Sequence, residues 1–261
     1  MPYCNLLDTR FYFEDEGQGP AMVLVHGAAQ DTLSWRFTAP HLAGAFRTFA
    51  VDLPGHGKSD RAPQGVIRRT QDYAAYINAF IAYLDLGPVI LVGHSMSGGN
   101  ILQASLDQPG QVALAVPLDG AGMTLKQAVS YSDELMELIT VNTYDYWETN
   151  FQALCAPQTP PERKKLIAVE AKRTPAEIIL GDLTTYTSFD ISRRVGEIAV
   201  PVGLVTGEED WSCTVDNVRR TYGELKCPKA LEVLPGVGHF PHMEAPEAFA
   251  AAVKRLVATL L

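Results

Sequence analysis

The amino-acid sequence predicts an α/β protein built on a doubly wound parallel sheet, and three observations carry that reading. Short apolar, β-branched runs recur along the chain, each ending at glycine, proline or aspartate, as parallel strands buried on both faces do. Longer stretches with helical spacing separate them, the alternation expected when helices cover both faces of a sheet. A length of 261 residues, with 47% hydrophobic and 20% charged side chains, allows a sizeable core and excludes a disordered or fibrous chain.

Taken in order, residues 10–15 read as a strand that leads through Gly17-Gln18-Gly19-Pro20 into the run 22–25. This predicts an antiparallel edge hairpin. Runs 48–51, 89–92, Val112–Leu118, 202–206 and 231–234 supply the further strands. Residues 71–86 are predicted helical, because Tyr73, Ile77, Phe80, Ile81 and Leu84 recur near helical spacing and Gly87-Pro88 stops the pattern. A second helix is expected from about Asn100. A third, over 246–261, has proline in its first turn and carries Phe249, Val253, Leu256 and Val257. Residues 123–197 are helical in pattern and without a convincing strand, and they include Tyr131, Tyr144, Tyr146, Trp147, Phe151 and Tyr186. So long an excursion between strands predicts a helical cap at 123–197, inserted between core segments 1–122 and 198–261.

Composition narrows the partners. Thirty acidic against 21 basic residues give a formal charge of −9, so phosphate backbones and anionic membranes are repelled on average. A small-molecule substrate is expected, with no nucleic acid and no membrane; the oligomeric state stays open, a homo-oligomer included. Cysteines 4, 155, 213 and 227 show no CxxC spacing, which reads as reduced thiols rather than a zinc site or a disulfide framework. Met1-Pro2-Tyr3-Cys4-Asn5 lacks the start of a secretory signal, and no segment approaches the roughly 18 apolar residues of a membrane span. A cytoplasmic protein is the expectation.

Directly after the run 89–92 stands Gly93-His94-Ser95-Met96-Ser97-Gly98-Gly99. A serine between small residues at a strand-to-helix turn is a nucleophile elbow, in which the serine takes a strained backbone and its neighbours must be small. Ser95 sits where the strand ends and is the favoured nucleophile. Ser97 is the second register, although it falls in the first helical turn, where its hydroxyl is expected to cap amides.

A serine hydroxyl needs a positioned base, and the base needs a carboxylate. Of six histidines, His239 follows the last strand run at the carboxyl edge of the sheet, where ligands of such sheets bind. His242 is its competitor. His94 is expected to point away from Ser95, His26 and His56 lie in glycine turns, and His41 lies in a helical pattern. The loop Gly207-Glu208-Glu209-Asp210-Trp211 offers three acids, of which Asp210 lies furthest along the turn; Asp119, at another strand end, is the alternative. For the developing oxyanion, the Met96 and Ala28 backbone N–H groups are the expected donors, with Gln30 as an additional side-chain donor. Trp147 and Trp211, with Gln30, are the candidate substrate contacts, and the aromatics of the cap suggest an apolar pocket.

Five pieces, in order, resemble the α/β-hydrolase superfamily: Val25-His26-Gly27-Ala28, Asp52-Leu53-Pro54-Gly55-His56-Gly57-Lys58-Ser59, Gly93-His94-Ser95-Met96-Ser97, Gly207-Glu208-Glu209-Asp210 and Gly238-His239. The resemblance implies an eight-stranded, mostly parallel sheet whose second strand is antiparallel, a helical cap over the active site, and a Ser95–Asp210–His239 triad in that chain order. It implies a structural role for the loop 52–59, and hence no catalytic role for His56, and it requires no metal or organic cofactor. Ser97 departs from the usual glycine. Family members of this length include carboxylesterases, lactonases, enol-lactone hydrolases, cofactor-free haloperoxidases and C–C hydrolases of ring-fission products. Haloalkane dehalogenases and epoxide hydrolases of this fold place aspartate at the nucleophile position, where this chain has Ser95. The expected chemistry is acyl transfer from a small ester or lactone to water. C–C cleavage of a ring-fission diketone, a non-hydrolytic receptor and a cofactor-free oxygenase or lyase are the alternatives.

Overall fold

A computed structural model describes residues 2–120 and 132–261. Its strands are β1 (Tyr3–Leu6), β2 (Thr9–Gly17), β3 (Ala21–Val25), β4 (Arg47–Val51), β5 (Val89–His94), β6 (Val112–Leu118), β7 (Val202–Gly207) and β8 (Lys229–Leu234). They form one sheet in the order β1-β2-β4-β3-β5-β6-β7-β8. β2 runs antiparallel to both of its neighbours, and every other pairing is parallel.

This order corrects the expected hairpin between residues 10–15 and 22–25. β4 lies between those strands, with Phe13 opposite Val51 on one side and Val23 opposite Phe49 on the other. The hairpin partner of β2 is β1, joined through Leu7 and Asp8, both in the left-handed region at φ 48° and 60°. Turns of that kind are usually announced by glycine or asparagine. Leu7-Asp8 carries neither, and four residues of β1 are too few to show a period.

Among the described residues the helices are α1 (Ala39–Leu42), α2 (Thr70–Leu84), α3 (Met96–Asp107), α4 (Asp133–Val141), α5 (Thr143–Leu154), α6 (Pro161–Ala168), α7 (Ala176–Ser188), α8 (Val215–Glu224), α9 (Pro241–Glu244) and α10 (Pro246–Leu260). α2 ends two residues earlier than its apolar spacing suggested, because Asp85 turns left-handed at φ 48°. One core layer sets α2 and α3 against the sheet through Tyr73, Phe80 and Ile101, and the other sets α10 against it through Phe249, Val253 and Leu256. β3, β5 and β7 are buried almost end to end, which is why they read as unbroken apolar runs.

Between β6 and β7 the described residues form α4 to α7 and no strand. Tyr131, and the expected boundary between 122 and 123, lie outside the described residues. Trp147, Phe151, Ile167, Ile179 and Leu183 of this segment pack with Ala29 of the loop after β3, and with Phe240 at the start of α9 and Met243 within it. No disulfide joins the four cysteines. No described helix is long and apolar enough to cross a membrane.

Candidate active site

β5 runs straight into α3 with a single residue between them. That residue, Ser95, has φ 51° and ψ −120°, a conformation that costs an L-residue about 1–3 kcal/mol. Its N–H donates to Leu118 O of β6 (2.8 Å) and its carbonyl accepts from Gly98 N–H (2.8 Å), which holds the turn from both sides. Glycine is required at 93, because a Cβ there would lie 2.3 Å from the Ser97 carbonyl oxygen. α3 therefore starts at Met96 rather than near Asn100. Ser97 is fully buried and its hydroxyl donates to the His26 carbonyl (2.6 Å) instead of capping amides.

His239 follows β8 with its imidazole between Ser95 and Asp210. Nε2 lies 3.0 Å from Ser95 Oγ, and Nδ1 lies 2.6 Å from Asp210 Oδ2. With Nδ1–H donating to the carboxylate, Nε2 has its lone pair toward the hydroxyl. The His239 main chain is held as well: its N–H donates to Leu154 O at the end of α5 (3.0 Å), and His94 Nε2 lies 2.8 Å from its carbonyl oxygen. Asp210 Oδ1 accepts from Ser212 N–H, Ser212 Oγ–H and Cys213 N–H at 2.8, 2.7 and 3.0 Å. Burial alone would raise this carboxyl, but His239 and these donors hold it at about 2. Cys213 Sγ also lies within 4.8 Å of the Asp210 and His239 ligand atoms.

The other candidates have different surroundings. Asp119 is fully buried and accepts from Thr206 Oγ1 (2.8 Å) and Gly207 N–H (2.9 Å), not from His239. His242, in α9, is buried against Trp35 and His94, with ring centroids 4.6 and 4.4 Å apart. His26 donates Nδ1–H to Gly27 O and accepts Leu53 N–H at Nε2, so both of its nitrogens are used. His41 is exposed on α1.

The Ala28 and Met96 amides belong to residues that line the cavity beside Ser95. Neither N–H has an acceptor among the described residues. The turn bearing Ala28 is pinned by its neighbours: Gly27 N–H donates to Gln30 Oε1 (3.1 Å) and Ala29 N–H to Asp182 Oδ2 (2.9 Å). Gln30, expected to meet substrate, is almost fully buried and does not line the cavity. Its amide donates to Glu170 Oε2 (3.1 Å), and His94 Nδ1 lies 2.8 Å from its oxygen. Arg36 Nη1 lies 2.5 Å from Glu170 Oε1, yet burial pushes this carboxyl up to about 7.

Asp182 and Glu170 were not anticipated from the sequence. Asp182 sits in α7 between the buried Ile178, Ile179 and Leu183, and a carboxylate on the apolar face of a helix is the signal that would have found it. The cavity over Ser95 has a volume of about 250 Å³. Trp147 and Trp211, both expected at the substrate, line it with Tyr146, Phe151, Leu183 and Phe240. Trp211 also donates its indole N–H to Ala153 O (2.9 Å), bridging the β7 loop to α5.

Comparison with known proteins starts from the same fold. The chain superposes on an esterase from Thermogutta terrifontis with a TM-score of 0.88 at 21% identity, covering 100% of this chain and 99% of that one. For the enol-lactonase from Burkholderia xenovorans LB400 the TM-score is 0.85 at 17% identity, with 98% and 100% covered. In sequence it is 26% identical, over 94% of this chain and 90% of the other, to a 2-hydroxy-6-oxo-6-phenylhexa-2,4-dienoate hydrolase from Burkholderia cepacia. The model of the alpha/beta hydrolase family matches residues 22–252. Because that match runs from β3 into α10, across the elements that carry Ser95, Asp210 and His239, the chain belongs to the alpha/beta hydrolase family.

Proposed function

We propose that the protein hydrolyses a small, neutral carboxylic ester or lactone through a Ser95–His239–Asp210 triad and an acyl-enzyme. The observation that carries this reading is the 3.0 Å contact between His239 Nε2 and Ser95 Oγ, with Asp210 on the far side of the ring. Ser95 Oγ attacks the carbonyl carbon while Nε2 takes its proton, and Asp210 stabilises the imidazolium. The tetrahedral oxyanion lies between the Ala28 and Met96 N–H groups. His239 then returns the proton to the departing alkoxide, and water, deprotonated by the same nitrogen, releases the acid. Helices α4 to α7 act as a cap that encloses the acyl group over Ser95, with Trp147 on its inner wall and Trp211 at its rim.

Substrate class follows from the cavity. No lysine or arginine is among its described lining residues, so nothing there offsets a carboxylate, which is costly to desolvate unpaired. The dienoate hydrolase among the relatives acts, by its name, on an acid; the apolar lining favours an uncharged ester or lactone over C–C cleavage of such an anion. The test is a panel of p-nitrophenyl esters, lactones and vinylogous diketones, run on wild type and Ser95→Ala. Ser95→Ala is expected to lose at least about a thousandfold in ester turnover with its fold intact. Retained turnover, or a wild-type serine that a fluorophosphonate does not label, would overturn the hydrolase reading in favour of a receptor or a serine-independent lyase.

A further inference from the structure

Asp119 follows β6 immediately, and the reaction above leaves it without a task. Its surroundings are unusual for a carboxylate. The side chain is fully buried, and both of its donors, Thr206 Oγ1–H and Gly207 N–H, converge on Oδ1. Oδ2 is buried with no donor among the described residues. The group it meets is the Asp210 side chain, itself an acid. Asp119 also holds a left-handed backbone at φ 43°, with its N–H donating to Val205 O (3.0 Å). A strained residue at this place keeps the carboxyl under the loop that carries Asp210.

Two carboxyl groups in contact and away from water do not both ionise, and the proton stays on the one with fewer donors. Asp210 accepts four hydrogen bonds, one of them from His239; Asp119 accepts two. We propose that Asp119 is a neutral carboxylic acid whose Oδ2–H donates to the Asp210 carboxylate, making it a positioning residue that acts on His239 through Asp210. The acid uses every polar atom that would otherwise be orphaned: Oδ1 accepts from β7, and Oδ2 gives its proton to the acid loop. The other ionisable groups beside Asp210, among the described residues, are His239 and Cys213, whose ligand atoms and its own lie within 4.8 Å of one another. Burial, and after it the Asp210 charge, push the Asp119 carboxyl well above the carboxylate range, in keeping with a retained proton.

The inference rests on the triad reading, and its test separates the two. Asparagine reproduces the protonated acid, with a carbonyl oxygen for Thr206 and Gly207 and an N–H for Asp210. Asp119→Ala is expected to lower kcat about ten- to a hundredfold with little change in KM, the cost of a hydrogen bond to a charged group. It should also move the acid limb of kcat/KM upward, since Asp210 then bears its charge uncompensated beside His239. Asp119→Asn should recover most of the lost kcat and return the limb to its wild-type position. Were Asp119 ionised, the Asn change would delete a negative charge and carry the limb down by about one unit or more, which overturns the proposal. Equal losses in the two variants, or an Asn variant that does not fold, overturn it too. Proton NMR titration of the His239 Nδ1–H in substrate-free enzyme reads the same displacement, and it stays informative even if Ser95→Ala were to disprove the hydrolase.

Discussion

Two aspartate–histidine pairs occupy this protein, and they differ in what the second ring nitrogen meets. In Asp210–His239 the imidazole gives Nδ1 to the carboxylate at 2.6 Å and turns Nε2 toward a serine that lines the cavity. In Asp182–His56 it gives Nε2 to the carboxylate at 2.9 Å, and Nδ1 faces Pro54 O at 3.3 Å, in a site with no solvent exposure on either side chain. Asp182 also accepts from Tyr73 Oη (2.7 Å) and Ala29 N–H (2.9 Å). Burial alone would depress His56, but the Asp182 charge and hydrogen bond raise it above its ordinary value. With Asp182 at Nε2 and Pro54 O at Nδ1, neither ring nitrogen is turned toward a substrate. The same two residue types thus serve as a proposed base in one place and as a clamp between α7 and the 52–59 loop in the other.

The comparison is sharpest in activity. His239→Gln is expected to cost at least about a thousandfold in kcat/KM with little change in Tm, whereas His56→Gln should do the reverse. Loss of stability in the first and of turnover in the second would break the distinction. Next in size, Asp182→Ala removes the buried carboxylate shared by His56, Tyr73 and the Ala29 N–H and should destabilise by about 3–5 kcal/mol, measured by urea unfolding. A smaller fall in kcat is expected alongside, because Ala29 N–H loses its acceptor next to the proposed oxyanion amide of Ala28.

A subtler separation comes from pH. His56 is raised in the folded state, so its contribution is complete below the unfolded histidine value of about 6.5 and fades as pH rises through the folded one. Asp210 is lowered to about 2, so its contribution is present above the unfolded carboxyl range and fades as pH falls toward that value. The stability gap between wild type and His56→Gln should therefore narrow on the alkaline side, and the gap to Asp210→Asn on the acid side. Gaps that narrow together at one end would show that the pairs are not independent.

How much of this was legible depended on how local each signal is. The serine turn, the acid loop after β7 and the histidine after β8 each announce themselves within a few residues, since a strand end beside glycine is a local pattern. The β1–β2 hairpin did not, because Leu7 and Asp8 adopt a turn that their side chains do not favour. The placing of β4 between β2 and β3 is a pairing choice with no local mark. Gln30 looked like a substrate donor until Glu170 and His94, distant in sequence, claimed its amide. Asp119 reads as a rival acid in the sequence, but Thr206 and Gly207 claim one of its oxygens and the other is buried away from His239, where the proposed proton pairs it with Asp210.

Strand periodicity, turn chemistry and the order of serine, acid and histidine are properties of short segments, so the sequence alone determined the α/β class, the elbow at Ser95 and the loops that offer Asp210 and His239. Which histidine nitrogen stays free, which buried carboxyl keeps its proton and which amides face the cavity were decided only by tertiary structure. Each of these depends on desolvation and on partners up to 153 positions away, as for Ala29 and Asp182, and neither is written in any local stretch of the chain.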